Sequence, residues 1–200
     1  LTHHSFIRYA PQGAQYGPGR KGENNQRIFA LHNKGKIFQD FATCNETVAK
    51  NGKIVWTLLQ EMLGRGFLLS AANSNFAGKG GNAMYLHQDQ GYVPMPYPPF
   101  PLVCQTIWLL DDFKQESGGT ILVPKSHKML TIGNNFQDKD QMIGNKQIGA
   151  ISATAPKGSC LIFDGRTLHG TGVNKTNYPR RGVLFYYCRG WIRQQENIYL

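Results

Sequence analysis

The sequence predicts a mainly β chain, a double-stranded β-helix (jelly roll, cupin-like) with a few packing helices in the N-terminal part. Three observations carry that expectation. After Gly66, short apolar runs alternate with turn residues, the pattern of a sandwich or barrel. Helical periodicity is confined to the stretch before Gly64. And 200 residues with an apolar fraction of 40% suffice for one ordinary core, so a single domain is expected. We divide it into a loop and helical portion (1–66), a jelly-roll core (67–189) and a C-terminal tail (190–200).

Residues 1–27 are rich in Gly, Gln, Asn and Pro without periodicity and read as an extended or loop segment lying across the mouth of a site. Ile37, Phe38 and Phe41 have helical spacing, and Asn45 is placed to cap a short helix before Asn51-Gly52. A stronger helix runs from Lys53 to Leu63, with Val55, Leu58, Leu59 and Met62 as its apolar face and Gly64 as its stop. Strands follow at 67–76, 84–89, 102–110, 120–124, 149–155, 158–163, 167–173 and 182–188. The Pro-rich connection 94–101 excludes regular structure. Asp164-Gly165 reads as a hairpin-type turn. The polar stretch 131–147 reads as an excursion or lid.

The four cysteines are far apart, mostly in apolar runs, which fits buried reduced thiols and a cytoplasmic setting. No apolar run is long enough to span a membrane. The chain opens Leu-Thr-His-His-Ser without an initiator Met, and further residues are expected before it. The net charge of +10 is spread along the chain, with no basic helix and no basic-aromatic repeat. We read it as attracting acidic small molecules and expect no nucleic-acid partner.

The chemistry centres on Tyr85-Leu86-His87-Gln88-Asp89-Gln90. On a strand, His87 and Asp89 point the same way. An imidazole and a carboxylate side by side are two thirds of a 2-His-1-carboxylate facial triad, which holds Fe(II) with open positions opposite. His169 is the candidate second histidine. His127 lies in a turn, and His3, His4 and His32 have no metal-like spacing.

The motifs H-Q-D, D-D-F-x-x-E-S-G-G-T-x-x-V-P-K-S-H-K and H-G-T-G-V-N-K-T-x-x-x-R, in that order, resemble the phytanoyl-CoA dioxygenase family of Fe(II)/2-oxoglutarate oxygenases. The resemblance covers roughly residues 67–189. Lys125 stands where that family usually has Gly, a departure in a turn rather than at the metal. The resemblance implies His87, Asp89 and His169 as iron ligands, with 2-oxoglutarate and O2 as co-substrates. Halogenating relatives carry a small residue at the Asp89 position, so the carboxylate here implies hydroxylation or a related oxidation. It implies Arg180, eleven residues past His169, as the cation for the distal carboxylate of 2-oxoglutarate, with Arg181 as its rival. Thr171 shares the His169 face and supplies a hydroxyl for the same carboxylate. Thr106 falls where relatives set a side chain against the co-substrate. Asn73 and Asn75 share one strand face and are read as contacts to co-substrate or substrate. Trp108, Tyr186 and Tyr187 are expected in the core, and Asp111 and Asp112 in a turn.

The function expected is oxidation of a small organic substrate coupled to decarboxylation of 2-oxoglutarate to succinate and CO2. Two other readings compete: the same chemistry on a nucleic acid, and a catalytically inactive jelly-roll binding protein. The substrate and the oligomeric state are not written in any motif.

Overall fold

A computed structural model describes residues 7–9, 25–81, 83–84, 86–129 and 149–198. Its two α-helices lie where apolar residues recur with helical spacing, α1 at Lys36–Ala42 and α2 at Gly52–Leu63. Helix α2 buries Val55, Leu59 and Leu63, one stripe four residues apart. Leu58, expected on that face, is instead 42% exposed, because the stripe rotates toward Leu63. Asn51-Gly52 does not interrupt a helix; α2 starts there. A Cβ at Gly52 would lie 1.9 Å from the Cys44 carbonyl oxygen, so only glycine admits this close approach. Asn45 caps no separate helix. Its side-chain oxygen accepts from the Thr47 amide at 3.0 Å and holds a turn.

The strands are β1 (Ile7–Tyr9), β2 (Asn25–Ile28), β3 (Leu68–Ala77), β4 (Val103–Leu109), β5 (Thr120–Leu122), β6 (Ile151–Ser152), β7 (Cys160–Asp164), β8 (His169–Thr171) and β9 (Arg180–Cys188). They form an antiparallel sheet in the order β1-β2-β3-β9-β4-β7 and a smaller one in the order β6-β5-β8. The two sheets make a jelly roll without closing into a barrel. Alternation divides the large sheet. Ala72, Cys104, Trp108, Val183, Phe185 and Tyr187 pack with Leu59 and Leu63 of α2. Ile107, Phe163, Leu184 and Tyr186 lie on the other face, toward the small sheet. Each fully buried side chain of Leu59's size contributes about 1.5–3 kcal/mol by leaving water, which is what clamps the helices onto the sheet.

Three expectations about this frame are corrected or made specific. The described residues of the N-terminal stretch 1–27, expected as an extended or loop segment, are strand, since β1 and β2 extend the large sheet, and the rest of that stretch lies outside the described residues. The described residues among 84–89 form no strand. His87 makes an isolated bridge to His169, and Asp89 begins a 3-10 turn, Asp89–Tyr92. The turn at Asp164-Gly165 closes no hairpin, because β7 belongs to the large sheet and β8 to the small one. The excursion expected at 131–147 lies outside the described residues.

The tail is docked. A β-bulge between Leu69 and Ala71 leaves Ser70 without a ladder partner. Its carbonyl accepts from Glu196 N at 2.9 Å and its hydroxyl from Gln195 N at 3.1 Å. The extra residue also shifts the alternation. Leu69 and Ala72 both face the helices, so Ala71, Asn73 and Asn75 face inward.

Candidate metal centre and its two cavities

His87 and His169 sit directly opposite each other. His87 N donates to His169 O at 2.9 Å and His169 N to His87 O at 3.0 Å. Residues so paired project to the same side, which brings the ring centroids to 4.3 Å. Asp89 does not arrive by strand alternation. The 3-10 turn, tied by Gly91 N to Gln88 O at 3.1 Å, folds its carboxylate back onto the rings. Asp89 Oδ1 lies 3.5 Å from His87 Nε2, and Oδ2 lies 3.5 Å from His169 Nε2. One ligand atom from each residue falls within 4.8 Å of the others.

The donor set fits a metal. His169 Nδ1 lies 3.0 Å from the Thr167 carbonyl oxygen, which can only accept, so Nδ1 carries the proton and Nε2 presents a lone pair to Asp89. Burial pushes the His169 imidazole down to about 4 and keeps it neutral. Burial also works to raise the Asp89 carboxyl, but the neighbouring His169, His87 and Arg27 outweigh it and hold it below the usual value. Asp89 Oδ2 is buried without a hydrogen-bond partner. A carboxylate oxygen and an imidazole lone pair facing each other across 3.5 Å leave a position that a cation satisfies.

The centre separates two cavities. The inner one is small, a cavity of about 20 Å³, and Asn75, Gln105, Thr120, Thr171 and Arg180 line it. Arg180 is 2% exposed. Its Nε donates to Gly118 O at 3.0 Å, its guanidinium carbon lies 4.6 Å from the centroid of the Phe113 ring, and its Nη2 is buried with no partner. Burial, and then the charge of Arg27, push it down to about 9, so it remains a cation at neutral pH. Arg181 points out of the sheet and binds Asp111 at 2.7 and 2.8 Å. The loop before β9 sets this register. Asn174 Nδ2 donates to Ala77 O and Tyr178 O, both at 2.8 Å, so the turn cannot slip by a residue. Asn75 Nδ2 donates to Thr171 Oγ1 at 3.2 Å, joining the two sheets across the cavity.

The outer cavity is wider, about 390 Å³, with Phe29, Asn73, Asp89, Tyr92 and Glu196 in its wall. Arg27, His87 and Tyr186 line both cavities.

Of the residues selected from sequence, His87, Asp89, His169, Arg180, Thr171, Asn75 and Asn73 surround these spaces. Thr106 does not. It lies on the helix-facing side of β4 with Cys104 and Trp108, and its hydroxyl reaches Phe185 O at 3.5 Å. The inward neighbour is Gln105, whose Oε1 is buried without a partner. An amide interrupting an otherwise apolar strand was the signal for it. Tyr186 lies in the core, as expected, and is also a wall of both cavities. Arg27 and Glu196 gave no signal, since both come from segments read as loop and tail. His127 lies in a separate surface pocket with Lys128 and Arg189.

A model of the family described as phytanoyl-CoA dioxygenase matches residues 7–182. The chain is 26% identical over 180 residues to Dioxygenase FUM3 of Gibberella moniliformis, covering 88% of this chain and 56% of that protein. It is 30% identical over 142 residues to Dioxygenase af480 of Aspergillus fumigatus, covering 70% of this chain and 43% of that protein. The chain thus spans about half the length of the curated relatives it matches. Among solved structures, HygX from Streptomyces hygroscopicus with nickel, 2-oxoglutarate and hygromycin B bound superposes with a TM-score of 0.68 at 14% identity, covering 86% of this chain and 72% of that one. EctD from S. alaskensis with 2-oxoglutarate and 5-hydroxyectoine gives 0.65 at 19%, covering 82% of this chain and 56% of that one. These two share the fold.

Proposed function

The chain belongs to the phytanoyl-CoA dioxygenase family, and from that premise we propose that it is a non-haem Fe(II)/2-oxoglutarate-dependent dioxygenase that oxidises a small organic substrate. The observation that carries the reading is the unpartnered Asp89 Oδ2 facing His169 Nε2 beside a cavity that ends in a buried guanidinium. His87, Asp89 and His169 would hold the metal from one side. A bound Fe(II) supplies O2 activation coupled to oxidative decarboxylation of 2-oxoglutarate to succinate and CO2.

The chain's own residues bind, orient and exclude water. Arg180 Nη2, free at the closed end of the inner cavity, takes the distal carboxylate of 2-oxoglutarate, and Thr171 Oγ1 adds a second donor. Ile107 and Leu184 cover the carbon chain between them. Asn75 and Gln105 supply amide contacts along its length. The outer cavity, with Asn73 and Tyr186, takes the substrate, and the residues that would hold the metal stand between the two. The ligands named in the solved structures, 5-hydroxyectoine and hygromycin B, are themselves small molecules. No helix among the described residues is long and apolar enough to cross a membrane.

The test begins with metal analysis of the Fe(II)-reconstituted protein, expecting one ion per chain. It continues with 2-oxoglutarate-dependent succinate formation, stimulated by substrates from a small-molecule panel. His87→Ala, Asp89→Ala and His169→Ala should each lose metal and turnover together. Undiminished metal binding in all three variants, or no binding of 2-oxoglutarate by the wild type, would overturn the reading.

A further inference from the structure

Arg27 is a second guanidinium at the centre, and beyond its pull on the Asp89 carboxyl nothing in the chemistry described so far uses it. In β2 it pairs directly with Asn75 of β3, so it projects onto the same inward face. It is 9% exposed. Its Nη2 lies 3.7 Å from Met84 Sδ, and it also bonds the Tyr186 phenol. A thioether and a phenol are both neutral, and sulfur is a weak acceptor. No carboxylate among the described residues forms an ion pair with Arg27. A cation held in a largely buried site with no carboxylate in direct contact is costly, and an anionic ligand that pairs with it completes such a site.

The anions nearby are already engaged. Glu196 shares the outer cavity, but Oε1 accepts from Ala30 N at 3.0 Å, Oε2 accepts from Ala72 N at 2.9 Å, and Oε2 lies 3.5 Å from His32 Nδ1. Asp89 belongs to the metal. On the reading above, 2-oxoglutarate brings two carboxylates, one for the metal and one for Arg180. Neither is left for Arg27, which stands at the doorway between the cavities rather than at the closed end. It is also the one Lys or Arg among the described residues lining the outer cavity. A single planar fork matches one carboxylate through two parallel hydrogen bonds, whereas a phosphate dianion calls for more cations than this wall offers.

We propose that Arg27 is the specificity-determining residue for the substrate, and that the substrate carries a carboxylate which the Arg27 guanidinium holds where the outer cavity meets the inner one. This rests on the oxygenase reading and adds to it the chemical class of the substrate.

The experiment uses the full chain loaded with Zn(II), which is redox-inert, and saturated with 2-oxoglutarate. Ligand-observed NMR then measures the binding of straight-chain and arylalkyl carboxylic acids, each beside its own methyl ester. At least one acid should bind roughly tenfold or more tighter than its ester, the scale of a charge-assisted hydrogen-bonded pair. Arg27→Gln should erase that preference, Arg27→Lys should retain part of it, and the 2-oxoglutarate affinity of both should move by less than about threefold, well under the cost of losing a charged contact. Melting curves confirm that the variants are folded. Should Arg27→Gln fail to fold, the acid–ester comparison on wild type and Arg27→Lys decides alone. No preference for any acid overturns the proposal. So does a large loss of 2-oxoglutarate affinity in folded Arg27→Gln, which would give Arg27 to the co-substrate. A wild type that does not bind 2-oxoglutarate, measured first, sinks the oxygenase reading and this proposal with it.

Discussion

Replacing Arg180 or Arg181 by alanine removes the same side chain from adjacent positions, and the fold makes the two changes unlike. Arg180 is 2% exposed and has one buried nitrogen with no partner. Removing a desolvated cation that pairs with a carboxylate costs on the order of 2–5 kcal/mol of binding. At about 1.4 kcal/mol per factor of ten, that is roughly 30- to 4,000-fold in the 2-oxoglutarate dissociation constant. Arg181 has a side chain 53% exposed and pairs with Asp111 at the surface. A pair so open to water contributes about 0–1 kcal/mol to stability, and it touches neither cavity. Arg181→Ala should therefore leave 2-oxoglutarate affinity unchanged. Arg180→Ala also removes the contact with Phe113 and the bond to Gly118 O, so it should melt lower as well. The assay is calorimetric titration of metal-loaded wild type and both variants with 2-oxoglutarate, each checked for folding by circular dichroism. A large loss of affinity in Arg181→Ala, or none in folded Arg180→Ala, would refute the assignment of Arg180 to the co-substrate.

Three further outcomes follow from single sites. In metal-free protein, burial holds His169 at about 4 against an ordinary 6.5, so between those values the unfolded chain binds a proton that the folded chain does not. Stability should fall as pH drops through that window, by roughly 3 kcal/mol when it is crossed; urea midpoints that run parallel for metal-free wild type and His169→Gln would contradict this. Gly118 has φ +78, and a Cβ there would meet Gly172 O at 2.9 Å and Asn174 N at 3.1 Å. Gly118→Ala should cost about 1–3 kcal/mol, read as a lower Tm by differential scanning calorimetry, and an unchanged Tm would show that the turn yields. Lys125 occupies the left-handed region at φ 65, ψ 0, the position where the resembled family usually has Gly. Lys125→Gly should raise stability by up to about 1 kcal/mol in denaturant unfolding, and a loss of stability would mean that the lysine side chain matters more than its backbone strain.

What could be read in the sequence is what local chemistry decides. Period-two runs between turn residues announced β3, β4 and β9, and the stripe through Val55 and Leu59 announced α2, because each pattern records which side chains leave water. The residue types at the centre were legible for the same reason, since two imidazoles and a carboxylate have few other uses together. Their route into the centre was not. Asp89 reaches the histidines through a 3-10 turn, and His87 through a bridge to a residue 82 positions later (169 − 87). Asn73 and Asn75 face inward only because the bulge at Ser70 shifts the alternation, and a bulge needs its partner strand to exist. Thr106 and Gln105 are neighbours in one apolar run, and the run does not say which face the helices will cover. Arg27 and Glu196 come from opposite ends of the chain and meet in one cavity wall. Nothing near either in sequence marks it, because side-chain burial depends on which distant strands and tail segments pack around it, and that is settled only when the sheet and tail come together.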